Sequence, residues 1–216
     1  MHTSDKNRQI LSMLQDISQV SESLNIKTYI GGGMTIDIWE GQFLRVHDDA
    51  DGFTENLIAH KDLLIEAYEK LGYQVRFLED YSILRIDKDL VHAGFNPLLK
   101  KHRTAEWKHI GEHGSVYFPE DWLDQKPRDF YGIPVYTSGV KFEYATKTKS
   151  AMLNPEWKNP REKDLQAIQY LRSKILSEGI KEKDIYPWFW SYNPFFYEKG
   201  YNEFFRPTVA WPLDLK

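Results

Sequence analysis

The stretch from Tyr29 to Glu55 holds residues whose types and spacing could support phosphate chemistry. Its acidic cluster contains Asp49 and Asp51, two positions apart. Side chains two positions apart on an extended strand project from the same face, so these carboxylates are expected to point the same way. Two adjacent carboxylates resist full ionisation unless a cation lies between them, and Mg²⁺ is commonly bound by one or two carboxylates plus substrate phosphates. We therefore predict Asp49 and Asp51 as metal ligands and catalytic carboxylates.

The same stretch offers groups that could bind the phosphates themselves. Three consecutive glycines, residues 31–33, precede a short helical pattern at 34–39. A glycine turn that opens a helix lets backbone N–H groups approach a phosphate closely. We predict that Gly32 and Gly33 bind the nucleotide and that Arg45, between the turn and the acidic cluster, binds a phosphate oxygen. His47 is expected to orient Asp49. Each signal alone is weak, and their combination favours a functional site.

Eight residues of this stretch share the spacing GG-x₃-D-x₃-G-x₃-R-x-H-x-D-x-D: Gly32, Gly33, Asp37, Gly41, Arg45, His47, Asp49 and Asp51. The pattern resembles that of small antibiotic nucleotidyltransferases of the lincosamide and aminoglycoside 2″-adenylyltransferase type. These enzymes lie within the polymerase-β-like nucleotidyltransferase superfamily. Later segments at 118–123, 132–135 and 161–164 also look like landmarks of that family, so the resemblance covers about residues 25–178.

The resemblance implies an α+β fold: a nucleotidyltransferase fold with a mixed β-sheet flanked by helices, plus a C-terminal helical and aromatic extension. We expect a nucleotidyltransferase-like domain at 1–137 and a C-terminal helical region with an aromatic-rich tail at 138–216. The implied enzyme transfers a nucleoside monophosphate from ATP or another NTP to a hydroxyl of a small molecule, with Mg²⁺ held by the Asp pair. A phosphocholine-transferase-like member of the superfamily is a lesser alternative, against which the spacing of Arg45 and His47 speaks.

The family's third acidic residue, within a D-x-H-P pattern, has no obvious counterpart. The matching stretch is 90–97, and Gly94 occupies the position where the acid should be. On a strand, His92 and Gly94 share one face with Asn96. Three interpretations are open: His92 substitutes as catalytic base or ligand, Asp87 or Asp89 does so in another register, or the protein is a catalytically impaired binding module.

The composition indicates an ordinary globular protein. Hydrophobic residues make up 41% of the 216 positions and charged residues 28%, with a formal net charge of −4. This net charge does not indicate the basic surface that a nucleic-acid-binding protein needs. The absence of cysteine excludes disulfides, thiolate metal sites and cysteine nucleophiles. No apolar run is long enough to predict a membrane span, and the polar N-terminal residues resemble no secretory signal, so we expect a cytoplasmic protein. A homodimer is left open.

Hydrophobic periodicity predicts the remaining elements. Helices are expected at 4–24, 34–39, 57–71, 139–147 and 161–178. Strands are expected at 26–30, 50–54, 73–78, 82–86, 90–95, 107–110, 115–118 and 133–136, with a turn at 87–89 and a linker at 153–160. The aromatic tail from Tyr186 is expected to pack against the C-terminal helix and to line part of the acceptor pocket.

Overall fold

The computed structural model describes residues 4–79, 82–101, 104–110, 114–148, 161–185 and 190–192. Its helices are α1 (Asp5–Leu24), α2 (Gly33–Glu40), α3 (Lys61–Lys70), α4 (Val140–Thr148) and α5 (Glu162–Ser177). Short 3₁₀ helices cover Leu57–His60, Glu120–Trp122 and Glu182–Asp184. The strands are β1 (Thr28–Ile30), β2 (Gly52–Glu55), β3 (Gln74–Leu78), β4 (Ile83–Lys88), β5 (Val91–Lys101), β6 (Thr104–Ile110), β7 (Gly114–Pro119), β8 (Arg128–Phe130), β9 (Ile133–Thr137) and β10 (Trp190–Tyr192).

Helix α1 shows how local sequence determines an element. Ser4 is its N-cap and accepts a hydrogen bond from the Asn7 backbone N–H, while Asn25 ends the helix in the left-handed conformation. Both residue types are favoured at these positions. The buried stripe of α1, which includes Ile10 and Ile17, recurs at helical spacing and faces the sheet.

The described strands form one mixed sheet in the order β10-β7-β6-β5-β2-β1-β9-β8, with β4 on β5 and β3 on β4. β1 pairs antiparallel with β2 and parallel with β9, whereas β2 pairs parallel with β5. β5 pairs with β4 through its first residues and with β6 through its last. This arrangement sets the end of β1, the start of β2 and the middle of β5 side by side.

Two buried apolar clusters hold the helices to the sheet. The first joins α1, α2 and α3 to β4 and β5, and Leu14, Tyr68 and Phe95 are fully buried in it. The second joins α4 and α5 to β1, β2 and β7, with Phe118 and Leu171 at its centre. Both clusters pack against the same sheet. The domain boundary predicted at residue 137 stays a prediction.

The structure corrects several predicted boundaries. The helix expected at 57–71 begins as a 3₁₀ helix and becomes α-helical only at Lys61. The turn expected at 87–89 lies at residues 89–90, because Asp87 belongs to β4 and Asp89 takes a positive φ of 53°. Strand β5 runs to Lys101 rather than ending at Phe95, since β6 continues the pairing.

The predicted linker at 153–160 and most of the aromatic tail lie outside the described residues. Of the tail, the backbone of Trp190–Tyr192 forms strand β10, which pairs antiparallel with Ser115–Tyr117 of β7. This part of the tail extends the sheet. Across the part of the chain that the structure describes, no helix combines the length and apolar character that crossing a membrane requires.

Candidate active site

The glycine turn connects β1 to α2 and is held by residues distant in sequence. The Gly31 N–H donates to the Asp51 carbonyl oxygen at 2.8 Å, so the turn lies directly against the acidic segment. Gly32 has a φ of +70°, a conformation that favours glycine. Its N–H donates to Oε1 of Glu143 at 2.9 Å, and α2 begins at Gly33. The turn therefore presents the start of a helix beside the Asp pair.

Asp49 and Asp51 lie just before β2; the strand predicted at 50–54 begins only at Gly52, so Asp51 lies outside it. Asp49 forms a single parallel bridge with His92 of β5: the His92 N–H donates to the Asp48 carbonyl, and the His92 carbonyl accepts from the Ala50 N–H, both at 3.0 Å. Regular pairing with β5 begins only at Gly52. Asp51 nevertheless lies against the glycine turn, as predicted.

The pKa of Asp51 is raised. Desolvation by the surrounding protein atoms is the largest cause, and the negative charge of Asp49 adds to it. The Gly94 N–H, which donates to Oδ1 of Asp51 at 2.7 Å, favours the charged form and opposes the rise. The negative charge of Asp49 therefore acts on Asp51 in the folded protein.

The small residues around the Asp pair are required by close packing. A Cβ at Gly52 would overlap the Tyr29 carbonyl oxygen of the neighbouring strand β1. Ala50 is completely buried. The tight β1–β2 pairing draws the acidic segment against the glycine turn.

Gly94 marks the place of the missing third carboxylate. Residues 92, 94 and 96 are half-buried and alternate with buried residues along β5, which confirms their common face. A Cβ built on Gly94 would lie 3.2 Å from Oδ1 of Asp51. A carboxylate side chain at position 94 would thus point at the Asp pair, whereas the chain has only a backbone N–H there.

Of the predicted replacements, His92 lies nearest to the pair through its bridge with Asp49. Its positive form would lower the pKa of Asp51, which places the ring within electrostatic reach of that carboxylate. Asp87 lies opposite His92 in β4, but its carboxylate is bonded to Arg85 and Arg76, and the Arg85 hydrogen bond is the largest cause that lowers its pKa. A carboxylate held this way is a poor proton acceptor.

The guanidinium of Arg45 lies beside Gly33, at the start of α2. A Cβ added to Gly33 would come within 2.5 Å of Nη2 of Arg45. The guanidinium is exposed and donates to the Val46 carbonyl at 3.3 Å. Glycine at position 33 leaves room for this guanidinium, so a cation lies beside the helix start that adjoins the acidic segment.

The segment that carries Arg45 is braced by buried polar groups. Nε2 of His47 lies 2.9 Å from Oδ2 of Asp37, and both side chains are almost completely buried. Asn7 of α1 accepts from the His47 N–H and donates to the Arg45 carbonyl, both at 2.9 Å. The expectation that His47 orients Asp49 is wrong, because its ring is bonded to Asp37 and fixes the loop instead.

Glu143 is the site residue that sequence reasoning left without a role. Its carboxylate is fully buried on α4 and accepts from both the Gly32 N–H and the Ser138 hydroxyl. Burial raises its pKa, while Lys147, Ser138 and Gly32 favour the charged form. The one sign of this role in the sequence is that an acidic residue lies between the apolar residues Phe142 and Tyr144 of a short predicted helix.

Arg161, the N-cap of α5, interacts electrostatically with Asp49. The Arg161 side chain donates to Asp164 at 2.7 Å. Asp164 is the main cause that raises the pKa of Arg161, and the charge of Asp49 contributes to the same rise. Arg161 is therefore a cation that acts on Asp49.

The donor set fits a divalent cation that is completed by substrate. Within the described ranges, no group of three or more His, Asp or Glu side chains could hold a metal alone. Two coupled carboxylates, one with a raised pKa, are the kind of incomplete oxygen site that Mg²⁺ can complete with nucleotide phosphates. Asp49 and Asp51 are the residues that would hold it.

Comparisons with known proteins agree with this geometry. Residues 13–104 match the family model of the aminoglycoside-2''-adenylyltransferases, a segment that contains the glycine turn, the Asp pair and Gly94. No curated protein matches the sequence. The predicted resemblance to this type of nucleotidyltransferase is confirmed over the matched segment.

Solved structures show the same fold. The solution structure of the antibiotic-resistance factor ANT(2'')-Ia has a TM-score of 0.64 at 18% identity, covering 92% of this chain and 96% of that one. The crystal structure of ANT(2")-Ia in complex with adenylyl-2"-tobramycin gives 0.61 at 19% identity, covering 79% and 92%. Lincomycin-bound lincosamide antibiotic adenylyltransferase LnuA gives 0.53 at 17% identity, covering 79% and 97%. The predicted α+β nucleotidyltransferase fold, with a mixed sheet flanked by helices, is confirmed.

Proposed function

We propose that this protein transfers a nucleoside monophosphate from ATP or another NTP to a hydroxyl group of a small molecule. The observation that carries the proposal is the hydrogen bond from Gly31 to Asp51, which sets the glycine turn against the Asp pair. A phosphate-binding turn and a Mg²⁺-binding carboxylate pair are both needed for an NTP, and they are adjacent here. The fold shared with ANT(2'')-Ia and LnuA supports this proposal.

Each residue of the site has a role in binding the triphosphate. Gly32 and Gly33 present backbone N–H groups at the start of α2, and Arg45 supplies a positive charge over Gly33. Asp49 and Asp51 would hold Mg²⁺, which when bound neutralises triphosphate charge and helps orient the α-phosphate. Gly32 exchanges its hydrogen bond with Glu143 for one to phosphate, since one N–H cannot serve both fully.

The transfer is a single in-line displacement. The acceptor hydroxyl oxygen forms a bond to the α-phosphorus, and the bond from that phosphorus to the oxygen that bridges to the β-phosphate breaks. Pyrophosphate leaves with the bonding electrons. The hydroxyl proton passes to an imidazole nitrogen of His92, which shares the half-buried face of β5 with Gly94.

The proposal is tested by following label from α-labelled ATP into small hydroxylated acceptors in the presence of Mg²⁺. We expect labelled product and pyrophosphate with the parent, and a loss of about a hundredfold or more in rate with Asp49→Asn. Asp62→Asn, an exposed acid on α3, is the control and should keep the parental rate. Equal rates for Asp49→Asn and the parent would contradict the metal role.

A second candidate, a catalytically impaired nucleotide-binding module, is favoured by one observation: position 94 has no side chain to aim at Asp51. The two candidates differ in turnover and not in binding. A thermal shift with Mg²⁺ and ATP reports binding, because a ligand of the native state raises its apparent stability. Binding without release of pyrophosphate in any acceptor mixture would select the module.

A further inference from the structure

Beside the Asp pair, β3 and β4 bring two arginines face to face. Arg76 and Arg85 are direct cross-strand partners, so their side chains share one face of the sheet. Both bond the same carboxylate: Nη2 of Arg76 lies 3.1 Å from Oδ2 of Asp87, and Nη2 of Arg85 lies 2.9 Å from Oδ1. Like charges directly opposite each other are unfavourable, and Asp87 compensates only one of the two.

This basic pair adjoins the proposed reaction centre. Arg85 is the cross-strand partner of Gly94, the residue whose absent side chain would point at Asp51. The positive charge of Arg85 acts on Asp51 and opposes the rise in its pKa. The sheet face therefore runs from Arg76 through Arg85 and Gly94 to Asp51.

The surface leaves donors available for a ligand. The side chain of Arg76 is 62% exposed and that of Arg85 is 35% exposed. Arg76 donates to Asp87 through Nη2 alone, so the other N–H groups of its guanidinium are available to a ligand. Gly94 adds no negative charge at that position, and the Asp51 carboxylate, which also acts on Arg85, would be neutralised by the proposed Mg²⁺.

We propose that Arg76 and Arg85 form an anion subsite for the acceptor, so that the acceptor is a hydroxylated molecule that carries a carboxylate or phosphate near its reacting hydroxyl. Arginine forks match both oxyanions in a bidentate manner. A polycationic acceptor would meet two guanidinium groups on this face and be repelled. This assignment rests on the proposed function, because it assumes that the acceptor binds on the side of the Asp pair where Gly94 lies.

The test uses the ¹⁵N-labelled full chain and three matched three-carbon probes. Glycerol 3-phosphate carries a phosphate, glycerate carries a carboxylate, and glycerol is neutral. We expect both anions to shift the amide resonances of Arg85 and Gly94 in a saturable manner, and glycerol to leave them in place. The tighter of the two anions identifies the preferred oxyanion.

Substitutions separate anion binding from a structural role of the cluster. Arg76→Gln and Arg85→Gln should each weaken binding of the tighter anion about tenfold, since each removes charge-assisted hydrogen bonds. Asp87→Asn should tighten binding at least about threefold, because it frees both guanidiniums from a competing carboxylate. Arg172→Gln is the matched control: Arg172 is also 62% exposed and ion-paired, to Glu182 on a different surface, and its loss should change nothing.

Three results would overturn the inference: no saturable shift with either anion, equal shifts with glycerol, or parental affinity in the Arg76→Gln/Arg85→Gln double variant. The same spectra report binding of Mg²⁺ with an ATP analogue at the Gly32 amide. Loss of nucleotide binding with intact anion binding would contradict the proposed function alone. Nucleotide binding without anion binding would contradict this inference alone.

Discussion

At the scale of single residues, the site is defined by carboxylates in three different surroundings. Glu143 is fully buried and bonded to the glycine turn, Asp51 is coupled to Asp49, and Asp87 is neutralised by arginines. The first two have raised pKa values because their charged forms are penalised, and the third has a lowered pKa. Glu143 is therefore suited to holding the glycine turn, Asp51 to binding a cation, and Asp87 to balancing the charge of the arginines.

Burial of Glu143 predicts a specific pH dependence of stability. Its raised pKa means that the folded state binds the proton more tightly than the unfolded state. Stability therefore falls as pH rises from the ordinary glutamate value of 4.5 to the raised value, and each unit of difference costs about 1.4 kcal/mol. Glu143→Gln should remove this slope and raise the unfolding free energy at pH 8, where the parent has to bury the charged carboxylate.

Urea titrations between pH 5 and pH 8 measure this slope. Glu66→Gln is the control, since Glu66 is an exposed partner of Lys70 on α3. If Glu143→Gln and the parent lose stability in parallel over this range, the burial of a charge at position 143 is not the cause.

Gly94→Asp should recreate the missing third carboxylate. Its Cβ would lie in tight contact with Oδ1 of Asp51, so the added charge repels the Asp pair. We expect the variant to be less stable than the parent by about 1–2 kcal/mol without Mg²⁺ and to recover with millimolar Mg²⁺. Thermal unfolding with and without Mg²⁺ checks this, with Gly94→Ala as the control for added bulk.

Single-residue roles were predictable from sequence where spacing alone decides them. The common face of His92 and Gly94 on β5 follows from strand periodicity. The partner of His47 and the two arginines on Asp87 were not predictable, because they depend on register and loop path. Glu143 lies 111 positions from Gly32, and no local pattern reports such a contact.

At the scale of elements, the loop between α2 and the acidic segment is a rigid support for Arg45. Asn7 on α1 bonds both the His47 N–H and the Arg45 carbonyl, and Asp37 on α2 accepts from the Leu44 N–H at 2.8 Å. Two helices therefore fix one short loop. Sequence reasoning found both helices, but nothing in the periodicity of α1 indicated that Asn7 ties it to the site.

Asn7→Ala should test this support. It leaves a buried N–H and a carbonyl without their side-chain partner, which costs about 1–3 kcal/mol. Affinity for Mg²⁺ and ATP should also fall, because Arg45 loses its fixed position. Gln9→Ala is a suitable control, since Gln9 lies on the same helix and accepts one exposed backbone N–H, from Leu90. Unchanged stability and nucleotide affinity in Asn7→Ala would show that the loop holds itself.

At the scale of the whole molecule, one sheet carries the site at its middle and is covered by helices through two apolar clusters. Periodicity predicted most of the helices and strands, and the resemblance to the nucleotidyltransferases predicted the fold class. The order of strands was not, because pairing joins β2 to β5 and β1 to β9 across long stretches of chain. That order is what brings Asp51, Gly94 and Ser138 to one place.

Leu171→Ala should show whether the C-terminal helices fold with the rest. Leu171 on α5 is completely buried in the cluster that also holds β1 and β7. We expect a loss of about 2–5 kcal/mol and one cooperative urea transition. Leu165→Ala, at a 48% exposed position of the same helix, should cost under about 0.5 kcal/mol. Two separate transitions would support an independent unit after residue 137.

The central claim is that the glycine turn and the Asp pair form one Mg²⁺-dependent nucleotide site. Titration of a non-hydrolysable ATP analogue, with and without Mg²⁺, into the parent and into Asp49→Asn/Asp51→Asn tests it most directly. We predict Mg²⁺-dependent binding to the parent and its loss in the double variant. The variant should stay folded with equal or slightly higher stability, since the substitutions relieve the repulsion that raises the Asp51 pKa. Equal affinity of the parent and the double variant would contradict the claim.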